Sequence, residues 1–338
     1  NSVRPENPSP GQQALAPGET VLSLDSMISG YRANLIVPPD RRARKLSKKY
    51  IEKNLNALHR DLHALRVEAD AHFLELRDRA TQGDLELNAE QHWKLSNYPV
   101  SCCLEITRHM LSKISQAVPS SNSKGLRALQ KFSREGGQIK RVWGELRQSY
   151  FQNAIQAGSY YIDVANDTVD PTKDKVDILP IQDSGFRNID SYHAFAAVAE
   201  SYWKCRMVPN IFFPNLAPFL PIITEFENGV LGFDSTNTFM MPMNLEKNFQ
   251  LAHEFIFDNS RRNENFETCR DGLVELMSIR SNPDKTHLLH FTPVRDDAKL
   301  ENSFEACKTA SPTAMTQTIN QALRIKRYIK DAVSALEI

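Results

Sequence analysis

Glycine is scarce in this chain, with 13 among 338 residues. So few positions without a Cβ leave little material for the glycine-rich turns of a large doubly wound nucleotide-binding fold or of an all-β sandwich. The five cysteines (Cys102, Cys103, Cys205, Cys269 and Cys307) are odd in number and form no Cys-x-x-Cys pair. That pattern argues against a disulfide framework or a zinc knuckle and for a reducing, cytoplasmic compartment. Long apolar runs are absent too. The most apolar stretch, "NIFFPNLAPFLPII" at 210–223, is short and holds three prolines, so it cannot be a spanning helix. No signal-like segment opens the chain, although without an initiator Met a cleaved leader stays compatible with it.

Several motifs are missing as well. There is no G-x-G-x-x-G, no G-x-x-x-x-G-K-[ST], no G-x-S-x-G and no H-E-x-x-H, nor any Glu-x-x-His pair. The common phosphate cradles, the serine-hydrolase elbow, the zincins and the carboxylate-bridged di-iron bundles are therefore excluded. Net charge is zero overall but unevenly spread. Residues 1–150 hold 23 Lys+Arg against 16 Asp+Glu, and the remainder 18 against 25. Such asymmetry fits either two parts that attract each other or a basic part that meets an acidic partner.

What is present reads as a helix-rich α+β protein. Residues 1–20, rich in Pro, Gln and Ser, bury too little to repay ordering and read as a flexible tail. From Ile51, the residues Leu55, Leu58, Leu62, Leu65, Ala69, Phe73 and Leu76 recur at spacings of four and three. They form one stripe on a helix of roughly ten turns, capped by Asp40 behind two prolines and ended by Gly83. A second helix fits 99–118, and "PSSNSKG" at 119–125 is a linker. A third helical region spans 125–157, broken or kinked at Gly136–Gly137. Residues 21–157 thus read as an antiparallel helical bundle.

Residues 158–338 read as a mixed region, a small β-sheet flanked by helices and continuous with the bundle or separate from it. "SYYIDVA" and "KVDILPI" are strands, a helix covers 190–206, and "FLPIITEFENGVLGFDS" is a hairpin turning at Glu227-Asn228-Gly229. Helices follow at 245–259 and 264–280, then a strand "HLLHFTPV" and a final helix at 312–337.

The acidic stretch between the first two strands is the sharpest chemical candidate. Asp163, Asp167 and Asp170 offer the carboxylates a divalent cation would take, although the spacing is not that of a calcium loop. Alternation along the strand sets Asp163 opposite Ile162 and Val164, hence toward solvent or a site. His193, Asp234 and His253 are its candidate catalytic companions. His59 and His63, four apart, could share a metal ion, but Arg60 stands where a metalloprotease places its base. Cys102 and Cys103, before a helix, are candidate nucleophiles or small core residues. His287 and His290 fall on opposite faces of a strand.

The run "RRARKLSKK" sets Arg41, Arg42, Arg44, Lys45, Lys48 and Lys49 at a helix N-terminus, where cations oppose the macrodipole. Local helix stability does not account for them, which points to an anionic partner. Two readings follow. In the first, the protein is soluble and cytoplasmic and binds a macromolecule through its helices and basic run. The partner is another protein, a second copy of the chain or an anionic surface; nucleic acid, lacking interleaved aromatics, is not favoured. In the second, it is an enzyme of the mixed region whose Asp163–Asp170 loop binds a divalent metal or a polar substrate.

Overall fold

The computed structural model describes residues 23–227, 229, 231–234, 239–262, 269–273 and 295–334. The expected tail at 1–20, most of the helix at 264–280, and the strand carrying His287 and His290 lie outside the described residues. Contacts divide the chain into two compact units, one holding Ala33–Asn188, the other Ile189–Ile338 with the segment ending at Arg32.

In the first unit the long helix forms as its stripe requires. Asp40, extended at ψ 178°, accepts a hydrogen bond from the Ala43 N–H at 2.6 Å and caps α2 (Arg41–Leu46). One π turn (Ser47–Ile51) and one 3₁₀ turn (Glu52–Asn54) lead into α3 (Leu55–Gln82). Gly83 ends it in the left-handed region at φ 81°, where a side chain would be strained. Ile51, Leu58, Leu62, Ala69 and Phe73 are buried, so the stripe is the core face. Helices α4 (Ala89–Ser96), α5 (Cys103–Ala117) and α6 (Lys124–Arg134) follow. Helix α4 starts with a reciprocal capping box between Asn88 and Gln91.

The expected bundle ends there. After Gly136 the chain becomes a hairpin of β1 (Ile139–Leu146) and β2 (Tyr150–Ala157), not a continued helix. It then adds β3 (Tyr160–Asp163) and β4 (Asp177–Pro180), a short turn α7 (Ile181–Ser184), and β5 (Phe186–Arg187). All pairings are antiparallel, in the order β4-β3-β2-β1-β5. One sheet therefore takes strands from both sides of residues 157–158, and the helices pack on it instead of only on one another. Leu58, Leu62, Ile106, Met110, Leu129 and Phe132 share a core with Ile155, Ala157, Tyr160 and Ile162.

The spacing 3, 4, 4 of Ile139, Val142, Leu146 and Tyr150 imitates a helix for a physical reason. Both faces of β2 are buried, so polar Gln152, Asn153 and Gln156 lie inside and no polar–apolar alternation remains to mark a strand. The segment before α2 is bonded to two inner strands, β1 and β2. Gln156 accepts from the Val37 N–H at 3.0 Å and donates to the Val37 carbonyl at 2.7 Å. Lys140 donates to the Leu35 carbonyl at 2.7 Å.

The second unit holds α1 (Leu24–Ala33) as far as Arg32, α8 (Tyr192–Trp203) and an antiparallel sheet of β6 (Cys205–Pro209), β7 (Ile222–Phe226) and β8 (Leu231–Asp234). The β7–β8 hairpin forms as expected, pairing Ile222 with Asp234 through Glu225 with Leu231. The apolar run 210–223 is a buried loop entering β7, braced by Asn210, which donates to the Leu220 carbonyl at 2.8 Å and accepts from Phe213 at 3.2 Å. In place of one helix at 245–259 stand α9 (Met240–Glu246), α10 (Gln250–Ile256) and α11 (Asn259–Arg262). Asn248 and Phe249, at φ 49° and 64°, break the first from the second. Helices α12 (Asp297–Thr309) and α13 (Pro312–Ser334) follow, the latter starting where the sequence places it. No described helix is long and apolar enough to cross a membrane.

Candidate functional site

The acidic loop joins β3 to β4, and Asp163, Asp167 and Asp170 are committed to different partners. Asp163 is a correction to the expectation of a solvent- or site-facing residue, since it is 1 % exposed. It does point away from Ile162 and the helices, as alternation demands, but that second face of the sheet is buried as well. There Gln152 Nε2 and the Tyr161 hydroxyl donate to Oδ2 at 2.8 and 2.9 Å, while the Ala165 N–H donates to Oδ1 at 2.8 Å. Burial raises its pKa to about 6, against the three hydrogen bonds that favour the carboxylate.

Asp167, also buried, faces α3. Arg66 Nη2 reaches its two oxygens at 3.0 and 3.2 Å, and Lys175 Nζ lies 3.2 Å from Oδ2. Arg66 also pairs with Asp70 one turn on, and Lys175 lies 2.9 Å from the same carboxylate. The Tyr98 hydroxyl donates to Asp70. Two acids and two cations thus close on one another, with the Arg66 guanidinium wholly buried. The cluster fastens the loop to the long helix. At the exposed tip, Asp170 Oδ1 accepts from the Thr172 N–H and hydroxyl at 3.0 and 2.6 Å, and these bonds hold its pKa below the usual carboxylate value. Asp163, Asp167 and Asp170 therefore serve three separate local structures. Among the described residues no three His, Cys, Asp or Glu side chains converge where a metal ion could be held.

The other candidates are dispersed too. His59 Nε2 lies 2.9 Å from the Val176 carbonyl, so it ties α3 to the strand entry. In the second unit His193 pairs with Asp258 at 3.0 Å and His253 with Glu301 at 3.1 Å, with no partner in common. Asp234 closes β8 opposite Ile222. Cys102 and Cys103 are buried, and burial raises both thiols, which is the reverse of an activated nucleophile. A cleft of about 290 Å³ in this unit is lined by Glu200, Arg206 and Arg261 among others. Its charges are matched, Arg261 to Glu200 at 3.0 Å and Arg206 to Glu225 at 2.6 Å.

The basic run behaves differently. Arg41, Arg42, Arg44, Lys45, Lys48 and Lys49 are all exposed, and none forms an ion pair among the described residues. Two are steadied by carbonyls: Arg42 Nη2 donates to Glu135 at 2.7 Å and Arg44 Nη1 to Pro39 at 2.5 Å. Lys49 Nζ lies 4.7 Å from the centre of the Tyr50 ring, and the Tyr50 hydroxyl donates to Glu135 Oε1 at 3.0 Å. Sequence reasoning missed a second set of cations, on α6. Lys124, Arg127, Lys131 and Arg134 are exposed at spacings of three, four and three. That period was legible in "KGLRALQKFSR", where the charges follow the helix as regularly as Leu126, Leu129 and Phe132 do.

No family model matches the chain, and no curated protein or solved structure matches it.

Proposed function

We propose that this protein acts by binding a macromolecule that presents an anionic surface, with residues 41–49 as the contact. The observation that carries the reading is the exposed basic run, six cations in nine residues without an ion pair among the described residues. Arg41 and Arg42 stand in the first turn of α2, where the helix dipole makes positive charge unfavourable, so helix stability does not account for them; Arg42 makes one bond to the rest of the fold, to the Glu135 carbonyl. The helix that follows, packed into the core along its stripe, fixes the backbone that carries these side chains, and a preorganised backbone loses less freedom on binding. By contrast, the carboxylates of Asp163, Asp167 and Asp170 are bonded internally.

Charge reversal tests this. Retention of the full chain on immobilised heparin, a generic polyanion, is measured against the variant R41E/R42E/K48E/K49E. The wild type should elute at distinctly higher salt than the variant, because exposed charge pairs weaken as ionic strength rises. Equal elution would remove the basic run from the function.

A further inference from the structure

The basic row on α6 extends the surface at 41–49 and gives it a second line of charge. Three features place it there. Gly125 lies against the long helix so closely that an added Cβ would meet Leu58 Cα at 2.5 Å, and its N–H donates to Asp61 Oδ2 at 2.6 Å. At the other end Glu135 receives Arg42 on its carbonyl and Tyr50 on its carboxylate. Helix α6 therefore runs antiparallel to residues 42–61, and Arg134 arrives beside the basic run. Between these anchors Leu126, Leu129 and Phe132 are buried, which turns Lys124, Arg127, Lys131 and Arg134 outward. At 1.5 Å per residue the row is about 15 Å long. Helix α6 has no acidic residue, and like charges three and four apart repel along a helix.

From this arrangement, and resting on the proposed binding reading, we infer that the partner is a nucleic-acid duplex. The two basic rows would grip its phosphate backbone without reading sequence. Regularly spaced Arg and Lys suit repeated phosphates, which need charge and hydrogen-bond donors and nothing more. A lipid surface fits less well. An amphipathic helix binds membranes through a free apolar face, whereas that of α6 is built into the core. Among the described residues the exposed large apolar side chains are Val37, Val67, Leu74 and Val100, none of them within either basic row. Single strands are disfavoured because neither row presents an exposed aromatic ring on which bases could stack.

Fluorescence anisotropy of a labelled mixed-sequence DNA duplex, titrated with the full chain between about 50 and 200 mM salt, tests the inference. The wild type should bind with log K falling linearly in log salt. The variant K124Q/R127Q/K131Q should lose roughly tenfold or more in affinity and about three from the slope, one per phosphate contact. A control, R79Q/R108Q, should bind like the wild type. Should the triple variant unfold, as far-UV circular dichroism would reveal, K131Q and R134Q are read singly, each losing about one from the slope. If the α6 variants bind unchanged while R41E/R42E/K48E/K49E does not bind, the α6 surface is overturned and the basic-run reading stands. If vesicles of phosphatidylserine and phosphatidylcholine retain the protein and the duplex does not, the partner is a membrane and the inference fails. Binding to neither probe, with no loss of heparin retention on charge reversal, would overturn both.

Discussion

Asp163 and Arg66 show how little a charged side chain discloses about its surroundings. The Asp163 carboxyl has a pKa raised to about 6 in the folded protein, against 3.8 for an ordinary aspartate. The folded state therefore holds its proton more tightly than the unfolded chain does. Its contribution to stability is fully present below about pH 4 and is lost as pH rises through about 6. In urea unfolding across this range, D163N should gain stability relative to the wild type as pH rises, because only the wild type must ionise a buried group. A difference that stays flat with pH would show that Asp163 is ionised in both states. Arg66 is wholly buried between Asp70 and Asp167. Replacing it by Ala leaves two carboxylates with Lys175 as their one remaining cation among the described residues, and should cost about 3–5 kcal/mol in urea unfolding. A loss under 1 kcal/mol would mean that water already reaches the cluster.

For the elements, neighbours decide more than local preference does. Helix α6 can approach α3 only because Gly125 has no side chain, so G125A should destabilise by about 1–3 kcal/mol through overpacking. A thermal midpoint equal to that of the wild type would place the two helices farther apart than described. The long helix was legible from its stripe, its Asp40 cap and its Gly83 stop, because each is a local rule obeyed locally. The β1–β2 hairpin was not. Its loop sets Arg147 and Gln148 at φ 54° and 55°, a region for which glycine or asparagine is the usual marker. Nothing in "LRQSY" announces a turn. Q148G should relieve that backbone and raise stability by about 1 kcal/mol, measured by urea unfolding. A lower stability would show that the loop needs the glutamine side chain.

For the whole molecule, the unit containing Ala33–Asn188 has a complete sheet and a core shared between its own helices and strands. Produced alone, residues 33–188 should fold, with mixed helix and strand signals by circular dichroism and one cooperative urea transition. A fragment without a transition would show that it depends on the rest of the chain. The fragment carries 24 Lys+Arg against 19 Asp+Glu, so it also keeps an excess of positive charge.

The sequence by itself determined the helix-rich α+β class, the stripe and caps of the long helix, the β7–β8 hairpin and the isolated basic run. All depend on residues close along the chain, where helical and strand periods act directly. Tertiary structure alone decided the fate of the acidic stretch. Alternation placed Asp163 on the face opposite Ile162, but only the buried second face of the sheet, with Gln152 and Tyr161 on it, made that face interior. Likewise the distance from Arg66 to Asp167, 101 residues apart in sequence, is set by packing α3 against the loop. Packing α6 against α3 in turn brought Arg134 beside the basic run, although the two lie some 85 residues apart in sequence.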